Sequence, residues 1–140
     1  MKKIHENIPH GTLKIKKEYR DSIDLLRSRA NMLTGKDKLL MTMHLSNSNS
    51  FRQMAQLAGV SEASIARRIR KVTKRLTDGK YITCLRSRDK LTSAEMAVAK
   101  DYFLLGLSQG KIAIKRSCSV YRVRKTLKTI QHLINVADSE

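Results

Sequence analysis

The sequence predicts an all-α protein: two tandem helix-turn-helix units of three to four helices each, behind an additional N-terminal helix. Three observations carry this expectation. Apolar residues recur at spacings of three and four along most of the 140 residues, the period of a helix face. A single proline leaves the chain free to run in helices joined by short turns. Ser or Thr followed three residues later by Gln or Glu, at Ser50/Gln53 and Thr92/Glu95, marks helix starts in the right places.

Residues 1–13 read as a flexible basic arm, with Pro9 and Gly11 opposing regular structure. Ile15, Tyr19, Ile23, Leu26, Ala30 and Leu33 then form one apolar stripe, and Gly35 stops that helix. A second helix over 36–45 is expected to face inward through Leu39, Leu40 and Met43. Ser46–Asn49 is a loop. Ser50 opens a short helix to Ala58, Gly59 supplies a tight turn, and Ser61 caps a helix to Leu76 with Ile65, Ile69, Val72 and Leu76 inside. Asp78-Gly79 breaks the chain, so the N-terminal helix and first unit occupy 14–78. Residues 79–90 read as a linker, with Tyr81–Leu85 a short extended piece. The second unit, 91–137, has a helix from Thr92 to Leu105, a turn at Gly106-Leu107, a short helix capped by Ser108 and a long one capped by Ser119.

Displacing the chain by 58 residues aligns its halves. Ser50 meets Ser108, Met54 meets Ile112, Ala55 meets Ala113, Val60 meets Cys118 and Ser61 meets Ser119. Ile65, Ile69, Val72 and Leu76 meet Val123, Leu127, Ile130 and Ile134. Core and cap positions match, while exposed positions differ.

Charge sets the class of partner. Lys and Arg number 29 against 12 acids, a net charge of +17. Such a chain repels itself and attracts polyanions. Residues 36–90 hold 13 of the cations against four acids. No apolar run approaches the ~20 residues of a membrane span, and the N-terminus has no secretory apolar stretch. A cytosolic location, on the nucleoid in a bacterial cell, is expected. Cys84 and Cys118 lack CxxC spacing, and His5, His10, His44 and His132 are scattered, so no metal, cofactor or disulfide is expected. The acids are dispersed and the serines serve as caps, which argues against an enzyme.

A helix-turn-helix needs a small residue where its helices cross, a turn residue tolerant of positive φ, and apolar residues that lock the angle. Residues 51–69 supply Ala55, Gly59, and Met54, Val60, Ile65 and Ile69 in these roles. On the second helix, six cations fall within nine residues, opposed by Glu62 alone. Solvated faces normally mix signs. Ser61, Glu62, Ala63, Ser64, Ala66 and Arg67 are therefore the expected base-reading edge, where Glu can accept from cytosine N4 and Arg can fork onto guanine. Arg68, Arg70, Lys71, Lys74 and Arg75, with Arg52 on the preceding helix, are expected on phosphates. The second unit offers Tyr121 and Arg122 for bases, and Lys111, Arg124, Lys125 and Lys128 for the backbone. It departs at Ser117, in place of the turn glycine, and at Arg116, in place of Ala58.

Residues 38–45, Ser50–Ala55, Gly59–Ile65 and Arg68-Ile69 resemble region four of sigma-70-type sigma factors. Leu91-Thr92, Glu95, Gly106–Ser108, Ile112-Ala113 and Ser119 are similar to the same superfamily, shared with many response-regulator DNA-binding domains. The likeness covers residues 36–76 well, 91–134 less well, and does not reach 1–35. It implies promoter DNA recognition through the helix after Gly59 and contact with RNA polymerase. Nothing in the chain resembles the aromatic region two that opens promoters. Transcription regulation on double-stranded DNA is the leading expectation, as a monomer or homodimer. A bipartite DNA-binding part of a transposase or recombinase, and a protein that docks on polymerase or another regulator, are the alternatives.

Overall fold

In the computed structural model, which describes residues 10–139, every regular element is helical, and no strand occurs among the described residues. The helices are α1 (His10–Ala30), α2 (Gly35–Leu45), α3 (Phe51–Ala58), α4 (Glu62–Asp78), α5 (Lys80–Arg86), α6 (Ser93–Ala99), α7 (Gln109–Arg116) and α8 (Val120–Ser139). A 3-10 turn, Arg88–Lys90, precedes α6, and a π-helical turn, Lys100–Leu104, continues it. None of the described helices is long and apolar enough to cross a membrane.

The expected arm over 1–13 is shortened: residues 10–13 begin α1, and residues 1–9 lie outside the described residues. Only the second half of the α1 stripe is used. Ile23, Leu26 and Ala30 reach the core, with Leu33 beyond the helix end, while Ile15 and Tyr19 are 66% and 69% exposed. Two arginines on α1 fasten it to the unit below. Arg27 donates Nε and Nη2 to the Leu45 carbonyl at 3.1 and 2.8 Å, and Arg29 donates to the Leu76 carbonyl. Both place positive charge on the last carbonyls of α2 and α4, which lack helical partners and carry the negative end of the helix dipole.

The apolar side chains divide into two cores. Leu40, Met41, Met54, Ile65, Ile69, Val72 and Leu76 build the first; Cys84, Val98, Phe103, Ile112, Val123, Leu127, Ile130 and Ile134 build the second. The π turn joins them, because Phe103 points into the second core and its neighbour Leu104 into the first. Tyr81 packs on both.

Two expectations are corrected here. The inner face of α2 is Leu40, Met41 and Leu45; Leu39 is 61% exposed and Met43 only half-buried. Residues 80–86 form helix α5 instead of an extended linker, because Tyr81 packs on both cores and Cys84, one turn on, is buried in the second. Tertiary burial outweighs the strand preference of Tyr81, Ile82 and Thr83.

The caps fall as their residue types require. Ser50/Gln53 and Thr92/Glu95 are complete, reciprocal capping boxes. Ser61, Ser108 and Ser119 each accept from the backbone N–H three residues on, at 3.1, 3.2 and 3.1 Å. The 58-residue repeat is visible in the backbone and extends further than the matched residues, back to the caps Thr34 and Thr92. Asn47 N–H donates to Thr42 O and Asn49 N–H to Met43 O; 58 residues on, Leu105 donates to Lys100 O and Leu107 to Asp101 O. Ser48 and Gly106, which head this turn, both have positive φ, 54° and 70°. Gly59 and Ser117 share the left-handed conformation at 68° and 55°. The helix pairs α3/α4 and α7/α8 thus share one local backbone design, with α5, α6 and the π turn between them.

Candidate nucleic-acid interface

The first pair is held by a turn of three residues. Gly59 takes the left-handed conformation, Val60 N–H donates to Ala55 O at 3.1 Å, and Ser61 starts α4. Ala55, 6% exposed, is small enough for the two helices to meet there. Val60, expected to lock the angle, is instead 48% exposed.

With Ile65, Ile69, Val72 and Leu76 buried, α4 turns Ala63, Arg67, Arg70, Lys71 and Lys74 to solvent. Arg67, Arg70, Lys71 and Lys74 carry no ion pair among the described residues. At the start of this stripe Ser61 and Ser64 hydroxyls are 2.9 Å apart, and the Arg67 guanidinium donates to Ser64 Oγ at 3.3 Å. Ser61 and Glu62 are exposed, and Ser64 and Ala66 partly covered. The six residues of the first unit expected to read bases therefore share one helix start, with Arg67 steadied by Ser64. Arg52 is exposed on α3.

Two of the expected phosphate contacts serve the fold. Arg68 Nε lies 2.8 Å from Asp37 Oδ1, and Arg75 Nη2 lies 3.2 Å from Asp37 Oδ2. Arg75 Nε also donates to the Leu104 carbonyl at 3.1 Å, joining α4 to the π turn. A Cβ on Gly106 would sit 2.6 Å from the Arg75 guanidinium carbon, so the chain passes close over this arginine. Arg75 is thus a tie between the two cores. Its acid lies 38 residues away, with no local signal in the sequence.

In the second pair, α8 buries Val123, Leu127, Ile130 and Ile134 and exposes Tyr121, Lys125, Lys128 and His132. These are the 58-residue counterparts of Ala63, Arg67, Arg70 and Lys74. Arg124 is exposed beside the stripe; Arg122 lines a cleft with Arg116 and Thr92. The unexpected charge is Asp101. It is fully buried, with Lys115 Nζ at 2.7 Å and Arg116 bidentate at 2.8 and 3.1 Å. Burial pushes its carboxyl up, but the hydrogen bonds and charges of Arg116 and Lys115 outweigh this and hold it below the ordinary carboxylate range. Arg116 thus replaces Ala58 in order to satisfy an acid that replaces Met43.

Lys111 stands apart from its own unit's stripe. It lines a groove of about 490 Å³ between the units, with Arg67, Arg68, Lys71 and Arg75 on one wall and Leu105–Leu107 on the other. A second groove of about 450 Å³ continues it past Lys74, Lys80 and Ser108, sharing Lys71, Arg75, Gly106 and Leu107 with the first. No group of three His, Cys, Asp or Glu residues is placed to hold a metal among the described residues. Both cysteines are free, and burial pushes the Cys84 thiol up to about 11. Comparison with family models, curated proteins and solved structures found no match for this chain.

Proposed function

We propose that the chain is a sequence-specific double-stranded DNA-binding protein that regulates transcription, with α3/α4 as a helix-turn-helix whose second helix reads the major groove. The observation that carries this is the outward stripe of α4: solvent-facing cations without ion-pair partners among the described residues, backed by a fully packed inner face. Assembling Arg67, Arg70, Lys71 and Lys74 at helical neighbour spacing costs self-repulsion, which a polyanion relieves. The Ser61–Arg67 edge reads bases, while Arg70, Lys71 and Lys74 hold phosphates. The α7/α8 pair, built to the same local design, presents Tyr121, Lys125 and Lys128 as a second contact surface. Sigma region four-like promoter recognition, away from any catalytic chemistry, is the closest functional parallel that the sequence resemblance supports.

A second reading, docking on RNA polymerase or another regulator, is favoured by one observation. Exposed Leu39 and Val60 line an apolar cleft of about 330 Å³ beside the α3/α4 turn. Its counterpart beside the α7/α8 turn carries Ala97 and Cys118 instead.

The test is selection of duplexes from a random pool, followed by binding of selected duplex, random duplex and RNA across a salt series. A sequence reader keeps a preference of 10³-fold or more, on the order of that seen for specific DNA-binding proteins, for one duplex. A steep salt slope with equal affinity for all three overturns the reading.

A further inference from the structure

We infer that the groove between the two units is a phosphate-binding site, with Lys71 and Lys111 as its ligands and Arg75 as the positioning residue beneath them. The inference deepens the proposed DNA-binding reading but does not need base reading to be correct.

Three features of the groove point to an anion. Its lining brings Arg67, Arg68, Lys71 and Arg75 of α4 against Lys111 of α7, so cations from two separate helix pairs converge on one concavity of about 490 Å³. The acid in that lining, Asp37, already faces Arg68 at 2.8 Å and Arg75 at 3.2 Å. Lys71 and Lys111 are left exposed, with no ion pair or side-chain hydrogen bond among the described residues. On α4, Lys71 has like charges without ion pairs among the described residues at i−4 (Arg67) and i+3 (Lys74), an arrangement that destabilises a helix and that an anion relieves.

The groove is also built rather than accidental. Its floor is Arg75, fixed by the Leu104 carbonyl and Asp37. The opposite wall crosses that guanidinium at Gly106, where φ is 70° and a side chain would collide. Lys71 and Lys111 thus line one groove whose floor and wall are held by the Arg75 contacts to Asp37 and the Leu104 carbonyl. A phosphate is the chemistry such a pair of ammonium groups takes: a compact, multiply charged acceptor of hydrogen bonds from both sides. It can come from a DNA backbone or from a free polyphosphate.

The experiment uses the full chain and inorganic tripolyphosphate, read by thermal shift and calorimetry at constant ionic strength against chloride. The variants are Lys71→Ser/Lys111→Ser and, as a charge-matched control on the exposed side of α1, Lys16→Ser/Lys17→Ser. Saturable binding in the wild type and the control, weakened tenfold or more in Lys71→Ser/Lys111→Ser, is expected. Arg75→Lys, which keeps the charge but not the fork, is expected to weaken binding while leaving the fold intact by circular dichroism. If saturating duplex competes with tripolyphosphate, the native phosphate is the DNA backbone's. If both bind together, it is a free anion's. Equal losses in both double variants, or no binding beyond the chloride control, would overturn the site. Duplex selection could fail with the tripolyphosphate result intact, and the reverse, so the two proposals fall separately.

Discussion

Asp101 and Arg116 form a buried bidentate ion pair at positions that lie 58 residues after Met43 and Ala58. The second copy of the helix pair thus carries a charge and its counter-charge where the first carries a thioether and a methyl group. The exchange is coupled, because the buried Asp101 carboxylate needs the arginine's counter-charge, while Arg116 itself is still partly exposed. Breaking a fully buried pair from one side costs about 3–5 kcal/mol. Asp101→Asn and Arg116→Ala are each expected to cost less than this, because Arg116 can be solvated when Asp101 is removed and Lys115 remains on Asp101 when Arg116 is removed. The double variant Asp101→Met/Arg116→Ala is expected to cost less than their sum. Urea unfolding of the four proteins in a mutant cycle checks this; additive losses would contradict the coupling.

The same pair sets an acid limit. The Asp101 carboxyl is held below its unfolded value, so its contribution is fully present above the unfolded pKa of about 4. That contribution is lost as pH falls through the lower, folded value. The stability gap between wild type and Asp101→Asn is therefore expected to be constant from pH 7 to about 5 and to shrink on further acidification. Urea midpoints measured across that range would show it, and a gap that widens towards acid would oppose the assignment.

Gly59 and Ser117 occupy equivalent turns with the same left-handed backbone, but only the glycine does so without strain. A Cβ at Gly59 would meet nothing within 4 Å, so the cost of Gly59→Ala is conformational and not steric. Gly59→Ala is expected to destabilise by about 1–2 kcal/mol and Ser117→Gly to stabilise by up to about 1 kcal/mol. Thermal or urea unfolding of the two variants tests the pair, and opposite signs are the required result.

The two thiols differ in chemistry. Cys84 is fully buried with its thiol pushed up to about 11, whereas Cys118 is half-buried in the α7/α8 turn. At pH 8 Cys84 is therefore overwhelmingly a thiol, and burial shields it further. Titration with a thiol-reactive disulfide is expected to label Cys118 rapidly and Cys84 only as the protein opens, with both fast in denaturant. Cys118→Ser should abolish the fast phase.

Much of this was legible in the residues. The capping serines, both capping boxes, Gly59 and the apolar positions of α4 and α8 are local signals, and each stands where its chemistry requires. What was hidden depends on distant partners. Tyr81 and Cys84 become helical because Tyr81 packs on both cores and Cys84 fills the second. Ile15 and Tyr19 have the period of a buried face but stay exposed, outside both cores. Arg75 and Arg116 look like any other basic residue until Asp37 and Asp101, 38 and 15 residues off, are brought against them. The repeat was read only from Ser50, since Ser48 and Gly106, equivalent in backbone, are chemically unrelated.

In the proposed mode of binding, the start of α4 reads bases while its later turns hold phosphates. The most direct measurement is the affinity of the selected duplex and its single-base variants for wild type, Arg67→Ala and Lys74→Ala over a salt series. Arg67→Ala is expected to lose about 1–3 kcal/mol of discrimination at one base pair. Lys74→Ala is expected to weaken all duplexes alike and to lower the salt slope by about one. Equal, sequence-blind losses from both substitutions would contradict the claim.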